Sequence, residues 1–335
     1  MTYKRCMQDL YRRLRQCGFD AKFVRNIVLP DWWDDDLAGN PANRAIAEMA
    51  IARHLGFRVA DLQSPAAELR LPAVSDFRLK RRGGTTPAEV RPAVMVARRT
   101  AEVLLEALGE LPTFRPRRSA PEVRRAILER EPYVTLQSLV DFCWENGIAV
   151  AHLDPKRLPR PSKKFDGLAI SLEDRPVIIL SSGRDSPPWL AFHLAHEMAH
   201  LLCGHVQPGT KPLVDHNIDR LNNERQEETA DKYATQLLTG QPALAFAPKY
   251  GLTGERLAEA AQTYGARNRI DPGTVALIYG RSADRWGVAQ NALKRMGQHA
   301  GAQKLINRAL LSHLHPNRIS ESTAGFLRCL SAVSL

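Results

Sequence analysis

The sequence predicts an α+β protein: a small β-sheet beside one buried helix, preceded by an all-α N-terminal domain and followed by a helical tail. Three observations lead there. The only clear β signals, "IAVAHL", "GLAISL" and "PVIILS", fall close together between residues 148 and 181. Apolar residues at helical spacing fill most of the remaining chain. Between the two lies "LAFHLAHEMAHLLCGH" (Leu190–His205), an apolar run of helical length that carries four histidines and a glutamate.

The elements follow in order. "MQDLYRRLRQCGF" places Met7, Leu10, Tyr11 and Leu14 on one helical face, with Gly18 as the stop. "LPDWWDDDLAGNP" is a break, punctuated by Pro30, Gly39 and Pro41. "PANRAIAEMAIARHLGF" is a second helix with Pro41 in its first turn and Gly56 at its end. "PAEVRPAVMVARRTAEVLLEALG" is a third, with a kink or late start expected at Pro92. "LPTFRPRRSAP", with three prolines and three arginines, is the best candidate for a linker. Ser119 then caps a helix, and "TLQSLVDFCWENG" forms another. After the strands, Ser186 and Pro187 open the histidine-bearing helix and Gly204 closes it. Asn222 or Asn223 is expected to cap "ERQEETADKYATQLL", which Gly240 and Pro242 end. These boundaries give a helical domain over 1–112, a second domain over 119–290 and a helical extension over 291–335. No internal repeat is present.

Composition bounds the function. The 335 residues carry a formal net charge of +11. Residues 1–165 hold 29 Lys and Arg against 20 Asp and Glu, so the excess lies in the N-terminal half. That suits an acidic partner, nucleic acid included, or a merely solubilising surface. Five scattered cysteines without CxxC spacing exclude a disulfide scaffold or a zinc ribbon. The N-terminus has no apolar signal core and no apolar run is long enough to span a bilayer, so a cytoplasmic protein without a membrane partner is expected.

Within the histidine-bearing run sits His196-Glu197-Met198-Ala199-His200. Positions four apart lie one turn apart on the same helical face, so His196 and His200 can address one ion. Zn²⁺ accepts neutral imidazoles at tetrahedral geometry. Glu197, displaced around the helix, suits a general base acting on an activated water. A chance HExxH in a chain of this length is roughly a one-in-fifty event, so the helical context has to confirm it. The competing reading is a core helix with internally satisfied histidines. Two ionisable groups per turn in an apolar helix are costly without a ligand, which favours the metal.

A catalytic zinc takes three protein ligands and leaves one position open. In "ERQEETADKYATQLL" the buried stripe is Ala230, Tyr233, Ala234, Leu237 and Leu238. Glu227 and Asp231, at i and i+4, border that stripe, whereas Glu224 and Glu228 sit further round. Glu227 is therefore the expected third ligand. Asp231, one turn on, is placed to accept the far N–H of a liganding histidine and fix its tautomer.

On "DGLAISLEDRPVIILS", "HLAHEMAHLLCGH" and "EETADKYATQLL" the chain resembles the ImmA/IrrE family of zinc metallopeptidases. In that family a HExxH helix precedes an E-x-x-A-[DN]-x-[FY]-A helix whose first Glu is the third ligand; the pattern falls here on Glu227, Ala230, Asp231, Tyr233 and Ala234. "RIDPGTVALIYGR" is similar to the family's extension after the core, and the resemblance covers about residues 120–295. Ala199 stands where the family often has glycine, and the proline after the Leu pair is delayed to Pro242. The resemblance implies a zincin-like core and a gluzincin-like zinc endopeptidase. It also implies a strand edge beside the metal helix, expected at "PVIILS", to which an extended substrate adds as a further strand. His205 and His216 are candidates for stabilising the oxyanion; His193 is expected in packing or behind a ligand. The resemblance further implies a protein substrate that is a helix-turn-helix repressor, within a stress-response or mobile-element circuit.

For the N-terminal half, "PANRAIAEMAIARHLGFRVADL" is similar to the closing helices of a phage-repressor-type module. No recognition helix stands out in "FDAKFVRNIVLPDWWDDDLAG", and Asp34, Asp35 and Asp36 would repel phosphate. Trp32 and Trp33 read as core or partner contacts, and the basic run "RLKRRGG" can reach phosphates. DNA binding and recognition of a peptide or repressor stay open for this half. Two alternatives to a peptidase stand beside it: a DNA-binding regulator using the fold as a sensor or scaffold, and a zinc amidohydrolase acting on small molecules.

Overall fold

The computed structural model describes residues 3–71, 77–79, 87–160, 165–206 and 216–331. It is an α+β protein, mostly helical, with a single four-stranded sheet among the described residues. The N-terminal helices are α1 (Tyr3–Gln16), α2 (Ala21–Phe23), α3 (Pro41–Leu55), α4 (Val59–Gln63) and α5 (Pro87–Ala107). α2 runs into a π-helical turn at Val24–Val28, and a 3-10 turn spans Asp35–Gly39. "LPDWWDDDLAGNP" is thus a break with one short turn inside it. Asp35 holds that turn in place: it accepts from Tyr11 Oη at 2.6 Å, Arg25 Nε at 2.9 Å and Trp33 Nε1 at 3.1 Å. Burial acts to raise the Asp35 carboxyl, but the hydrogen bonds from Arg25, Tyr11 and Trp33 and the Arg25 charge together outweigh it and keep the carboxyl below the usual range. Trp33 packs on the core, while Trp32 is exposed. α5 continues through Pro92, whose ring lies against Gly18. Gly18 sits at φ 89°, a left-handed conformation glycine adopts at little cost.

Then come α6 (Ala120–Leu128), α7 (Leu136–Glu145), β2 (Ala149–His152), β3 (Gly167–Leu172), β4 (Arg175–Leu180) and α8 (Pro187–Leu202). A three-residue strand that the sequence does not announce, β1 (Phe77–Leu79), precedes α5. Ser119 and Glu122 make the capping box that starts α6. β3 and β4 are a hairpin turned by Glu173 and Asp174, both at positive φ as a two-residue type I′ turn requires. The strand order is β1-β3-β4-β2, with β2 parallel to β4 and the other pairs antiparallel. This corrects one expectation. "PVIILS" is not an edge, because β4 has β3 on one side and β2 on the other.

α9 (His216–Thr239) begins several residues before Asn222 and Asn223, so neither caps it. α10 (Gly254–Asn268), α11 (Pro272–Ser282), α12 (Trp286–Arg295), α13 (Ala302–His313) and α14 (Glu321–Ser331) complete the chain. One apolar cluster runs from Met7 to Leu330 and takes in α1, α5, the sheet, α8 and α14. A second, smaller one is built from α10, α11 and α12. His54 of α3 stacks on Phe326 of α14 at 4.3 Å, so the two ends of the chain close one core.

The Pro- and Arg-rich stretch does not hang between lobes. Arg117 N–H donates to Leu202 O at the end of α8 (2.9 Å), and Tyr233 Oη of α9 donates to Arg118 O (2.9 Å). It satisfies a terminal carbonyl of α8 that helix geometry leaves open. Arg124 does the same for α9, donating to Leu237 O at 3.1 Å and Leu238 O at 2.9 Å. Both helices that carry the expected site are thus held at their C-terminal ends.

Candidate metal centre

α8 is buried on nearly all sides, as an apolar helix in the middle of a protein must be. Leu190, Leu194, Met198, Leu201 and Leu202 supply the packing. His196, Glu197 and His200 are 0%, 1% and 0% exposed in the same helix. Burying three polar side chains is unfavourable unless something compensates them. α9 packs along α8 and brings Glu227 to both histidines. Its stripe of Ala230, Tyr233, Ala234, Leu237 and Leu238 is buried as the sequence predicts, and Glu224 and Glu228 are exposed.

The donor geometry is specific. His196 Nε2 and His200 Nε2 lie 3.2 Å apart. Glu227 Oε2 is 3.3 Å from His196 Nε2, and Glu227 Oε1 is 3.4 Å from His200 Nε2. Ligands about 2.0–2.1 Å from a tetrahedral ion stand about 3.3–3.4 Å from one another, which is the size of this triangle. His196 Nδ1 faces Asp231 Oδ1 at 2.8 Å, and His200 Nδ1 faces His205 Nδ1 at 3.1 Å. With each Nδ1–H donating outward, both Nε2 atoms turn lone pairs toward each other and toward a carboxylate. That arrangement is repulsive on its own and attractive around a divalent cation. The residues present therefore fit a metal with two nitrogens and one oxygen. When the rings instead carry Nε2 protons and no ion, burial acts to raise the Glu227 carboxyl, but hydrogen bonds and charge from the two histidines outweigh it and bring it down to about 2.

Glu197 follows the ligand His196 in α8, and its side chain is backed by Gly167, the first residue of β3. A Cβ on Gly167 would come within 2.5 Å of Glu197 Oε1, so only glycine leaves the carboxylate its place. Gly167 was not among the residues the sequence singles out; its position at the head of "GLAISL" is the only hint. His205 stands on the Nδ1 side of His200, away from the Nε2 donors, so it orients that ring and does not face the reacting position. This corrects its candidacy for the oxyanion. His216 heads α9, and its side chain lies outside the described part. His193 packs between Trp189 and Phe192 and borders a cleft of about 920 Å³ that also touches Asp231, Leu277 and Trp286.

A small sheet whose hairpin packs on a helix with two inward histidines, and a second helix that adds a carboxylate, make a domain built around one candidate metal site. Residues 148–270 match the family model described as "Peptidase_M78: IrrE N-terminal-like domain", which supports the resemblance to the ImmA/IrrE family and a metallopeptidase-type domain over this segment. No curated protein and no solved structure matches the chain. Among the described residues no helix is long and apolar enough to cross a membrane.

Proposed function

We propose that this protein is a zinc-dependent endopeptidase of the HExxH, gluzincin-like type, with His196, His200 and Glu227 as ligands and Glu197 as the general base. The observation that carries the reading is the triangle of donor atoms with edges of 3.2–3.4 Å, two of its corners on the helix that also carries the buried Glu197. Bound there, zinc supplies a Lewis acid and lowers the pKa of a coordinated water toward neutrality. The Glu197 carboxylate accepts the proton of the attacking water and returns it to the leaving nitrogen. Asp231 and His205 hold the two imidazoles in the orientation that points Nε2 inward. The target is a protein, with a helix-turn-helix repressor as the first candidate, in a stress-response or mobile-element circuit. Metal analysis and co-expression with repressors encoded nearby test this. Wild type should remove one repressor that Glu197→Gln spares, with zinc content equal in both. If both proteins leave every candidate intact, the peptidase reading loses.

A second reading, a DNA-binding regulator, is supported by the positive charge of residues 1–165. DNA affinity that falls steeply with salt would favour it; no measurable affinity at low salt would remove it.

A further inference from the structure

Strand order puts β1 at one end of the sheet and β2 at the other, and the edges of both β2 and β3 carry closing groups. On β2, the buried Asn307 of α13 accepts from His152 N–H at 2.9 Å and donates to His152 O at 2.9 Å. A side-chain amide thus takes the place of a neighbouring strand there. On β3, the closure is β1, through Phe77↔Ile170, Arg78↔Ala169 and Leu79↔Leu168. β3 is also the strand whose first residue, Gly167, backs Glu197. β1 runs antiparallel to β3, so its C-terminal end lies at Leu168, one residue from Gly167. Any antiparallel strand on this edge is led toward the general base in the same direction.

We propose that residues 77–79 of this chain are a resident occupant of the β3 edge, and that an extended polypeptide substrate must displace them to pair there. The proposal rests on the peptidase reading and deepens it by naming what holds the site closed. Addition of a strand to a sheet edge supplies backbone hydrogen bonds with little demand on sequence. β1 is suited to exchange because it is short. It pairs through three residues, whereas β3 and β4 pair through six. A strand of three is at the lower limit of what proteins use.

The test uses the full chain in a Glu197→Gln background, which reads binding without turnover. The probe is a fluorescent synthetic peptide of residues 75–82, SDFRLKRR, with a scrambled peptide as control. Phe77→Pro/Arg78→Pro opens the edge, because successive backbone N–H groups point to opposite sides and one of the two must face β3. Arg78→Cys/Ala169→Cys locks it, since paired Cα atoms in antiparallel strands lie within disulfide reach. Phe77→Cys/Ile170→Cys is the second lock should the first pair not oxidise. The opened protein should bind the peptide at least tenfold more tightly than the parent. Amides 168–170 should exchange faster in the opened protein and slow again with peptide. The locked protein should bind only after reduction. Equal affinity of parent and opened protein would overturn the proposal. So would binding to the locked form, no binding to the opened form, or unchanged exchange at 168–170. A chain that shows this competition but cleaves nothing would remove the peptidase reading and leave the edge intact.

Discussion

Removal of the Asp231 carboxylate isolates the effect of the hydrogen bond behind the metal ligands. Asp231 accepts from His196 Nδ1 at 2.8 Å, with the histidine side chain fully buried and the aspartate side chain 35% exposed. In Asp231→Ala the ring loses the partner that fixes its tautomer and raises the basicity of Nε2. Such partners contribute about 10- to 100-fold in metal affinity, or about 1.4–2.7 kcal/mol. Exposure of the carboxylate screens part of this, so a loss of about 10- to 30-fold is expected. Asp231→Asn keeps an oxygen acceptor without the charge and should lose about half as much on a logarithmic scale. The assay is competition for Zn²⁺ against a chelator of known affinity at pH 7.5, with circular dichroism to show that both variants fold. Glu227→Ala is the reference and should lose far more, because it removes a ligand. If Asp231→Ala binds zinc like wild type while Glu227→Ala does not, Asp231 has no orienting role. If both bind like wild type, the donor triangle is not the zinc site.

Two further perturbations follow from the same geometry and from the core. Gly167→Ala forces the Glu197 carboxylate aside, since the new methyl would sit 2.5 Å from Oε1; kcat on the identified target should fall at least about tenfold with zinc content unchanged, and full activity in Gly167→Ala would refute the close fit. His54 is buried, and burial with the charges of Arg53 and Arg99 outweighs its hydrogen bond to Val28 O, taking its pKa from 6.5 to about 4. Its neutral form is the folded form, so the stabilisation is complete above pH 6.5 and is lost as pH falls toward 4, up to about 3 kcal/mol. Denaturation curves of wild type and His54→Phe between pH 7 and pH 4 should diverge by that amount; parallel pH dependence would exclude the assignment.

Much of the candidate centre is legible in the sequence because helical periodicity is a rigid rule. Once "HEMAH" is placed on a helix, His196 and His200 share a face, and the apolar stripe of the second helix selects Glu227 and Asp231 over Glu224 and Glu228. The hairpin is legible too, from two apolar runs around a short polar turn. The strand order is not. Both hairpin strands are apolar on both faces, so neither composition nor alternation says which one lies outside, and β4 turns out to be interior. β1 has no strand signal at all; it exists because the edge of β3 offers it partners, a tertiary effect that outweighs local preference. The start of α9 escaped for a related reason. An Asn pair reads as a cap in isolation, yet the helix carries on through it. His205 shows the limit of motif reasoning, since its distance along the chain from His200 says nothing of which ring nitrogen it meets.

The pairing of Asn307 with His152 has a consequence for the protein in a crowded solution. Exposed strand edges are templates on which sheets of different molecules join, and folded proteins blunt them. One rim of this sheet is blocked at His152 by an amide from a helix that cannot leave without opening the core. The other is covered by three residues. On the β3 rim, the contact that would give way to a client is therefore also the one that shields that strand from other molecules.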